Sequence, residues 1–435
     1  MSTVTGVDAE SAEQAKGVFE RPDAAAEGAF QRPDAAAAGA LWRPDAAAEG
    51  AFQRPGAAAE GALQRPGTAA AGAVEREVRL VDSDVHPSPR SFAELIEYLP
   101  DRWRKDPCLS RVEFDHSVYL PANQTGGPRA DSFPADGSAA GSDPEMLERQ
   151  LFVEAGVDIG ILLPVAVPGM SNPEHEAALK SATNSWLADT WLGSYNREGR
   201  YRGSISVCAG LPELAVQEIE RWAEHPDFVQ VLIDPYLVDP LGKPQYRPIF
   251  AAAERHGLPV AVHINRTPGP VLLSPVGYPS YFAEFHPLYA MSYVTHFVSL
   301  IVEGAFERFE SLKVVFVEGG VAWIAPMMWR LDNLYEELRA EVPWLRRRPS
   351  EYVADHVRAT TQPLEETAKH ADLCDHIAWI GSEDVVMFSS DYPHWDFDNP
   401  GEVLRRLTPE MQEHVMARNG IELYGLPETI RLGDA

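Results

Sequence analysis

From Val78 onward, short β-branched runs alternate with helix-length amphipathic segments, and that alternation restricts the chain to architectures built on parallel strands. Candidate strands fall at 79–84, 159–163, 203–207, 228–233, 259–263, 313–317, 385–389 and, more weakly, 357–361. Helical patterns occupy 145–155, 174–196, 212–224, 248–256, 289–309, 322–340 and 363–380. Eight strands is the number that closes a (β/α)8 barrel, so an α/β fold of this TIM type is expected over 78–435. Two connections, 106–143 and 265–287, are too long for plain loops. The second follows a strand that ends in His263, and it is read as a lid.

Residues 1–77 obey a different rule. Gly17, Gly28, Gly39, Gly50, Gly61 and Gly72 recur in steps of 11, and Pro22, Pro33, Pro44, Pro55 and Pro66 keep the same step. An 11-residue period can wind a right-handed coiled coil, but a proline in every unit removes a helix hydrogen bond and clashes with the preceding turn. Each unit offers one bulky apolar anchor, such as Phe19, Phe30 or Leu41. One anchor cannot offset the ordering entropy of the rest, so a disordered Ala/Gly/Pro-rich tail is expected. Repeated Arg-Pro and aromatic or leucine anchors leave a second reading, a multivalent tail that docks an unknown protein.

A formal net charge of -28 argues against nucleic acid or an anionic membrane as partner, because either polyanion would repel the chain. No window approaches the roughly 20 apolar residues of a membrane span. The first residues carry Asp8, Glu10 and Glu13 and lack an apolar secretory core, and the three cysteines, Cys108, Cys208 and Cys374, are widely spaced. A cytoplasmic protein acting on a small molecule is therefore expected.

Chemistry-bearing side chains collect at the predicted strand tips. In Val81-Asp-Ser-Asp-Val-His86, Asp84 and His86 are two apart and project from one face of the first strand. The fifth strand ends in His263, the sixth in Glu318 before Gly319-Gly320, and the eighth in Asp391. In a parallel barrel the carboxyl ends of the strands are where chemistry is placed. Asp84, His86, His263 and Asp391 therefore form a candidate site for a divalent metal ion, zinc first, with manganese or iron compatible. Taken singly, each has a structural reading as a packed histidine, a turn aspartate or a helix-capping glutamate.

Residues 78–425 resemble the amidohydrolase-related family that includes aminocarboxymuconate-semialdehyde decarboxylase, other aromatic-acid decarboxylases, lactonases and hydratases. The resemblance is carried by 82–86, by His263, by the run from Phe309 to Trp323, by Thr360-Thr-Gln-Pro363 and by Phe388-Ser-Ser-Asp-Tyr-Pro-His394. It implies a metal-carrying barrel with ligands at His86, His263 and Asp391, and a homodimer into which Trp323, Trp329 and Trp344 could pack. The chain departs from the family in two places. Asp84-x-His86 stands where His-x-His is common, and Glu318 stands where many members place a catalytic histidine before Gly-Gly.

The leading expectation is metal-dependent hydrolysis of a small ester, thioester, lactone or amide, with Asp391 or Glu318 accepting a proton from metal-activated water. His296, on the helix before the sixth strand, is a candidate replacement for the missing imidazole or else a packed helix residue. Arg266 is a candidate clamp for a substrate carboxylate, and His394 a candidate for orienting the substrate or donating a proton. Two alternatives are non-oxidative decarboxylation of an aromatic or unsaturated acid on the same scaffold, and a catalytically degenerate barrel used for binding.

Overall fold

A computed structural model describes residues 74–105, 127–165, 167, 170, 172–265 and 282–433. The chain divides into two units, 1–68 and 69–435. The repeat up to residue 73, Cys108, Arg266 and the greater part of the expected lid lie outside the described residues.

Eight parallel strands form one sheet in sequence order: β2 (Val81–Val85), β3 (Ile159–Leu162), β4 (Tyr201–Ser206), β5 (Phe228–Ile233), β6 (Val260–His263), β7 (Val314–Val317), β8 (Val357–Thr360) and β9 (Val386–Met387). Helices between them include Pro173–Leu187, Pro212–Trp222, Arg247–Arg255, Phe285–Val302, Ile324–Glu337 and His370–Ala378. The expected (β/α)8 barrel is therefore present. Each predicted strand exists, with ends that coincide or move by at most two residues, because hydrogen bonding rather than hydrophobicity sets where a ladder stops.

Alternation along the strands sorts side chains into two layers. Ile159, Ile161, Val315, Val317, Ala261 and Met387 fill the barrel interior. Leu162, Val260, Val262, Val314 and Phe316 pack outward against the helices. His263 has the parity of Ala261 and so points inward. Strand β2 needs an extra device, since Val81 also lies in the interior cluster while Asp84 and His86 have the opposite parity. A register shift between Asp82 and Val85 places an additional residue in β2 relative to β3, and this bulge turns the end of the strand over. Val85 accordingly packs in the outer layer, and Asp84 and His86 face the interior.

The structure adds elements that the sequence patterns do not announce, among them a helix and a strand pair. Pro349–His356 is a helix whose Glu351 carboxylate accepts the Arg348 amide at 2.7 Å. Strand β1 (Val74–Glu77), inside the segment assigned to the tail, pairs antiparallel with β10 (Thr429–Leu432). Arg76 reaches Asp158 at 2.9 Å, and Asp158 accepts the Arg79 and Leu80 amides at 2.8 and 3.0 Å. Val78 and Ile430 belong to the interior cluster, so this ribbon continues the barrel core at the amino-terminal side of the strands.

Candidate active site

At the other end of the barrel, the tips of β2, β6 and β7 and the turn after β9 bring five buried side chains together. His86 donates Nδ1–H to the Leu163 carbonyl at 2.9 Å, a bond that fixes the tautomer because a carbonyl can only accept. Its other nitrogen, Nε2, lies 2.8 Å from Asp391 Oδ1 and 3.1 Å from Asp84 Oδ1. His263 Nε2 lies 3.3 Å from Asp84 Oδ1 and 3.2 Å from Glu318 Oε2. The His86 and His263 rings meet edge to face with centroids 4.8 Å apart.

Among the described residues, both oxygens of Asp84 and both ring nitrogens of His263 are buried without a hydrogen-bond partner. Leaving so many polar atoms dry and unpaired would cost several kcal/mol, on the order of 1–3 each, unless something else satisfies them. Asp84, His86 and His263 offer ligand atoms within 4.8 Å of one another, as do Asp84, Glu318 and Asp391, and His86, Asp391 and His394. Lone pairs of imidazole and carboxylate aimed at one another fit a divalent cation.

The electrostatics agree with that fit. Burial, with Asp391 and Asp84 adding repulsion, pushes the Glu318 carboxyl well above the usual carboxylate range. Asp391 is pushed up for the same reason, by burial and then by Asp396 and Asp84. Burial acts on Asp84 in the same direction, but the imidazoles of His86 and His263 outweigh it and hold that carboxyl low. Burial pushes His86 down to about 3, against the pull of Asp84.

Local backbone geometry places two of these groups. Among the described residues, Glu318 and Asp391 are the non-glycine residues with positive φ, at 60° and 61°. A left-handed conformation costs such a residue roughly 1–2 kcal/mol, and structures retain it where it aims a functional group. The Glu318 amide donates to Thr360 Oγ1 at 3.1 Å. A Cβ on Gly319 would come within 2.2 Å of the Tyr293 ring, which is why glycine follows Glu318. The Tyr293 hydroxyl donates to the Val317 carbonyl and accepts the Ile264 amide at 2.9 Å, joining β6 to β7 beside His263 and Glu318.

Two further side chains, Gln362 and His394, steady Asp391. Gln362 Nε2 donates to Asp391 Oδ2 at 3.3 Å and to Asp396 Oδ2 at 2.7 Å. His394 Nδ1 contacts Asp391 Oδ1, and its partly buried ring stands 4.7 Å from that of His86. Gln362 escaped the sequence reading although the segment 360–363 was visible, because a neutral amide advertises no chemistry until its partners are known.

The expected role of His296 is not supported. Its Nδ1 accepts the Leu241 amide at 3.1 Å and its Nε2–H donates to the Pro235 carbonyl at 2.7 Å. Both ring nitrogens are thus committed to the backbone beyond β5, and His296 is absent from the ligand groups. Arg266 lies outside the described residues.

Fold and donor set together define a (β/α)8 barrel with a divalent-metal site at its strand tips. Residues 81–426 match the family model described as Amidohydrolase, and the chain belongs to the amidohydrolase family. Its curated relatives include a gamma-resorcylate decarboxylase from Rhodococcus jostii, 27% identical over 281 residues, covering 60% of this chain and 80% of that one. A second, from Rhizobium radiobacter, is 25% identical over 56% of this chain and 75% of its own. Among solved structures, 5-carboxyvanillate decarboxylase from Sphingomonas paucimobilis superposes with a TM-score of 0.59 at 21% identity, over 80% of this chain and all of that one. A dihydroxybenzoic acid decarboxylase from Polaromonas, solved with manganese and 2-nitroresorcinol, gives 0.56 at 18% identity, covering 80% and 97%. At such identities the structural matches speak for the fold. The leading expectation of hydrolysis gives way here, because these named relatives are decarboxylases and so side with the alternative drawn from the sequence.

Proposed function

We propose that this protein is a divalent-metal-dependent, non-oxidative decarboxylase of a hydroxylated aromatic acid. The observation that carries the reading is the overlap at the strand tips of three sets of potential ligands, Asp84–His86–His263, His86–Asp391–His394 and Asp84–Glu318–Asp391. The names of the curated relatives supply the reaction class.

Asp84, His86, His263 and Asp391 would hold the ion, and manganese, zinc and iron(II) all suit two imidazoles with two carboxylates. When bound, the cation supplies positive charge for the substrate's carboxylate and a neighbouring ring hydroxyl. Gln362 holds the Asp391 carboxylate in place, and the Leu163 carbonyl holds the His86 ring. Glu318 delivers a proton to the ring carbon that bears the carboxylate. The new C–H bond takes its electron pair from the ring π system; the carbon–carbon bond then breaks, its pair restores the aromatic ring, carbon dioxide leaves, and solvent reprotonates Glu318. This division of labour resolves the family departure at position 318: a carboxylic acid replaces an imidazole as the proton donor.

The test is carbon dioxide release from a panel of hydroxybenzoates, including 2,6-dihydroxybenzoate, by the manganese- and zinc-loaded protein. Release should match the acid consumed, and Glu318→Gln should lower turnover by about 10²–10⁴-fold while metal content is kept. No release from any acid, together with turnover of ester or lactone substrates, would restore the hydrolase reading.

A further inference from the structure

The eight-stranded ladder runs from β2 to β9 without a regular pairing between those two end strands. Yet this seam supplies three of the four metal-binding residues, Asp84 and His86 on one side and Asp391 on the other. Two backbone hydrogen bonds cross it, from the Ser83 amide to the Phe388 carbonyl at 3.0 Å and from the His86 amide to the Tyr392 carbonyl at 2.8 Å. Beside them, and apart from the contact of His86 with Asp391, lies a link through side chains. Asp82 Oδ1 accepts the Ser390 amide at 2.9 Å, Asp82 Oδ2 accepts the Ser390 hydroxyl at 2.5 Å, and Oδ1 also accepts the Asp84 amide at 3.2 Å. Ser390 Oγ in turn accepts the Tyr392 amide at 3.1 Å. Asp82 and Ser390 are both wholly buried.

We infer that Asp82 and Ser390 form a clamp across the barrel seam that sets the spacing of the metal-binding residues without touching the ion. One carboxylate grips the backbone of Asp84 and of the residue before Asp391. Asp391 sits in a left-handed conformation, and the turn 390–392 around it is held by hydrogen bonds of Ser390. Ser390 supplies them on both sides of Asp391, bonding back to Asp82 and forward to Tyr392. A carboxylate does this better than a hydroxyl or an apolar residue, because its two oxygens accept all three donors at once. The inference rests on the metal assignment above and not on the identity of the substrate.

Clamp residues are positioning residues, and their test is metal affinity rather than turnover. Full-length apoprotein is titrated with manganese against a chromophoric chelator, and its fold is followed by circular dichroism. Asp82→Ala should weaken the affinity of the folded protein by about 10- to 100-fold, the usual cost of losing support behind a ligand. Ser390→Ala should move it in the same direction by less, and provides the readout if Asp82→Ala fails to fold. Asp82→Asn, which keeps an acceptor for both amides, should recover most of the affinity. A purely structural role would lower the thermal midpoint of the apoprotein and leave the affinity of folded protein unchanged. His263→Ala separates the two levels of the argument. Loss of metal in that variant with wild-type affinity in Asp82→Ala and Ser390→Ala overturns the clamp alone, whereas metal retention in His263→Ala overturns the site and the clamp with it.

Discussion

His296 and His86 are both buried histidines near the carboxyl ends of barrel strands, and the chemistry of each follows from what its two nitrogens touch. His86 spends one nitrogen on the Leu163 carbonyl and turns the other toward Asp84 and Asp391. His296 spends both on the backbone, and burial lowers its pKa. Sequence position cannot make this distinction, because it shows which residues are histidines and not where their nitrogens point. The strand-tip residues were legible for a different reason: a parallel barrel fixes where strands end, so Asp84, His86, His263, Glu318 and Asp391 needed only the strand assignment to be brought together. His296→Gln should keep metal content while destabilising the fold by about 1–3 kcal/mol near neutral pH. The sign of its pH dependence follows from the depressed pKa. The unfolded chain takes up a proton near pH 6.5 while the folded ring resists, so the wild-type advantage is full above about 6.5 and shrinks as the pH falls below it. Denaturant unfolding across this range checks the prediction, and a constant difference, or loss of metal in the variant, would contradict it.

At the level of elements, the β2 bulge and the β1–β10 ribbon decide how the barrel works, and neither is written plainly in the sequence. A period-two reading of 81–86 puts Val81 on the face opposite Asp84 and His86, so the strand's inward hydrophobe and its inward ligands conflict until a register shift reconciles them. Strand β1 is fully exposed along its length, and with no alternating apolar face it is invisible as a strand. What orders it is its partner 354 residues away at Thr429, together with the ion pair from Arg76 to buried Asp158. The boundary of the folded unit therefore falls before Val74 rather than after Glu77. We propose that the repeat before it is dispensable for folding. Deleting residues 1–68 should leave the thermal midpoint and metal content unchanged, while deleting 1–77 should lower the midpoint by several degrees through loss of the ribbon. Equal midpoints in the two truncations would remove any structural role for β1.

On the scale of the whole molecule, a strongly acidic chain concentrates carboxyl groups where they repel one another most. Asp84, Glu318 and Asp391 share one buried space with two imidazoles, and their mutual repulsion is relieved when a cation joins them. No helix among the described residues is long and apolar enough to cross a membrane. On the proposed assignment β2 supplies two ligands, β6 one and the turn after β9 the fourth, so the site exists only when the barrel has closed. Metal binding and folding are thereby linked, and chelation should lower the thermal midpoint. The most direct measurement is elemental analysis of the purified protein beside His263→Ala and Asp391→Ala. A stoichiometric divalent ion in the wild type and its loss from both folded variants is the predicted result; the same ion at the same occupancy in either variant would contradict the shared site.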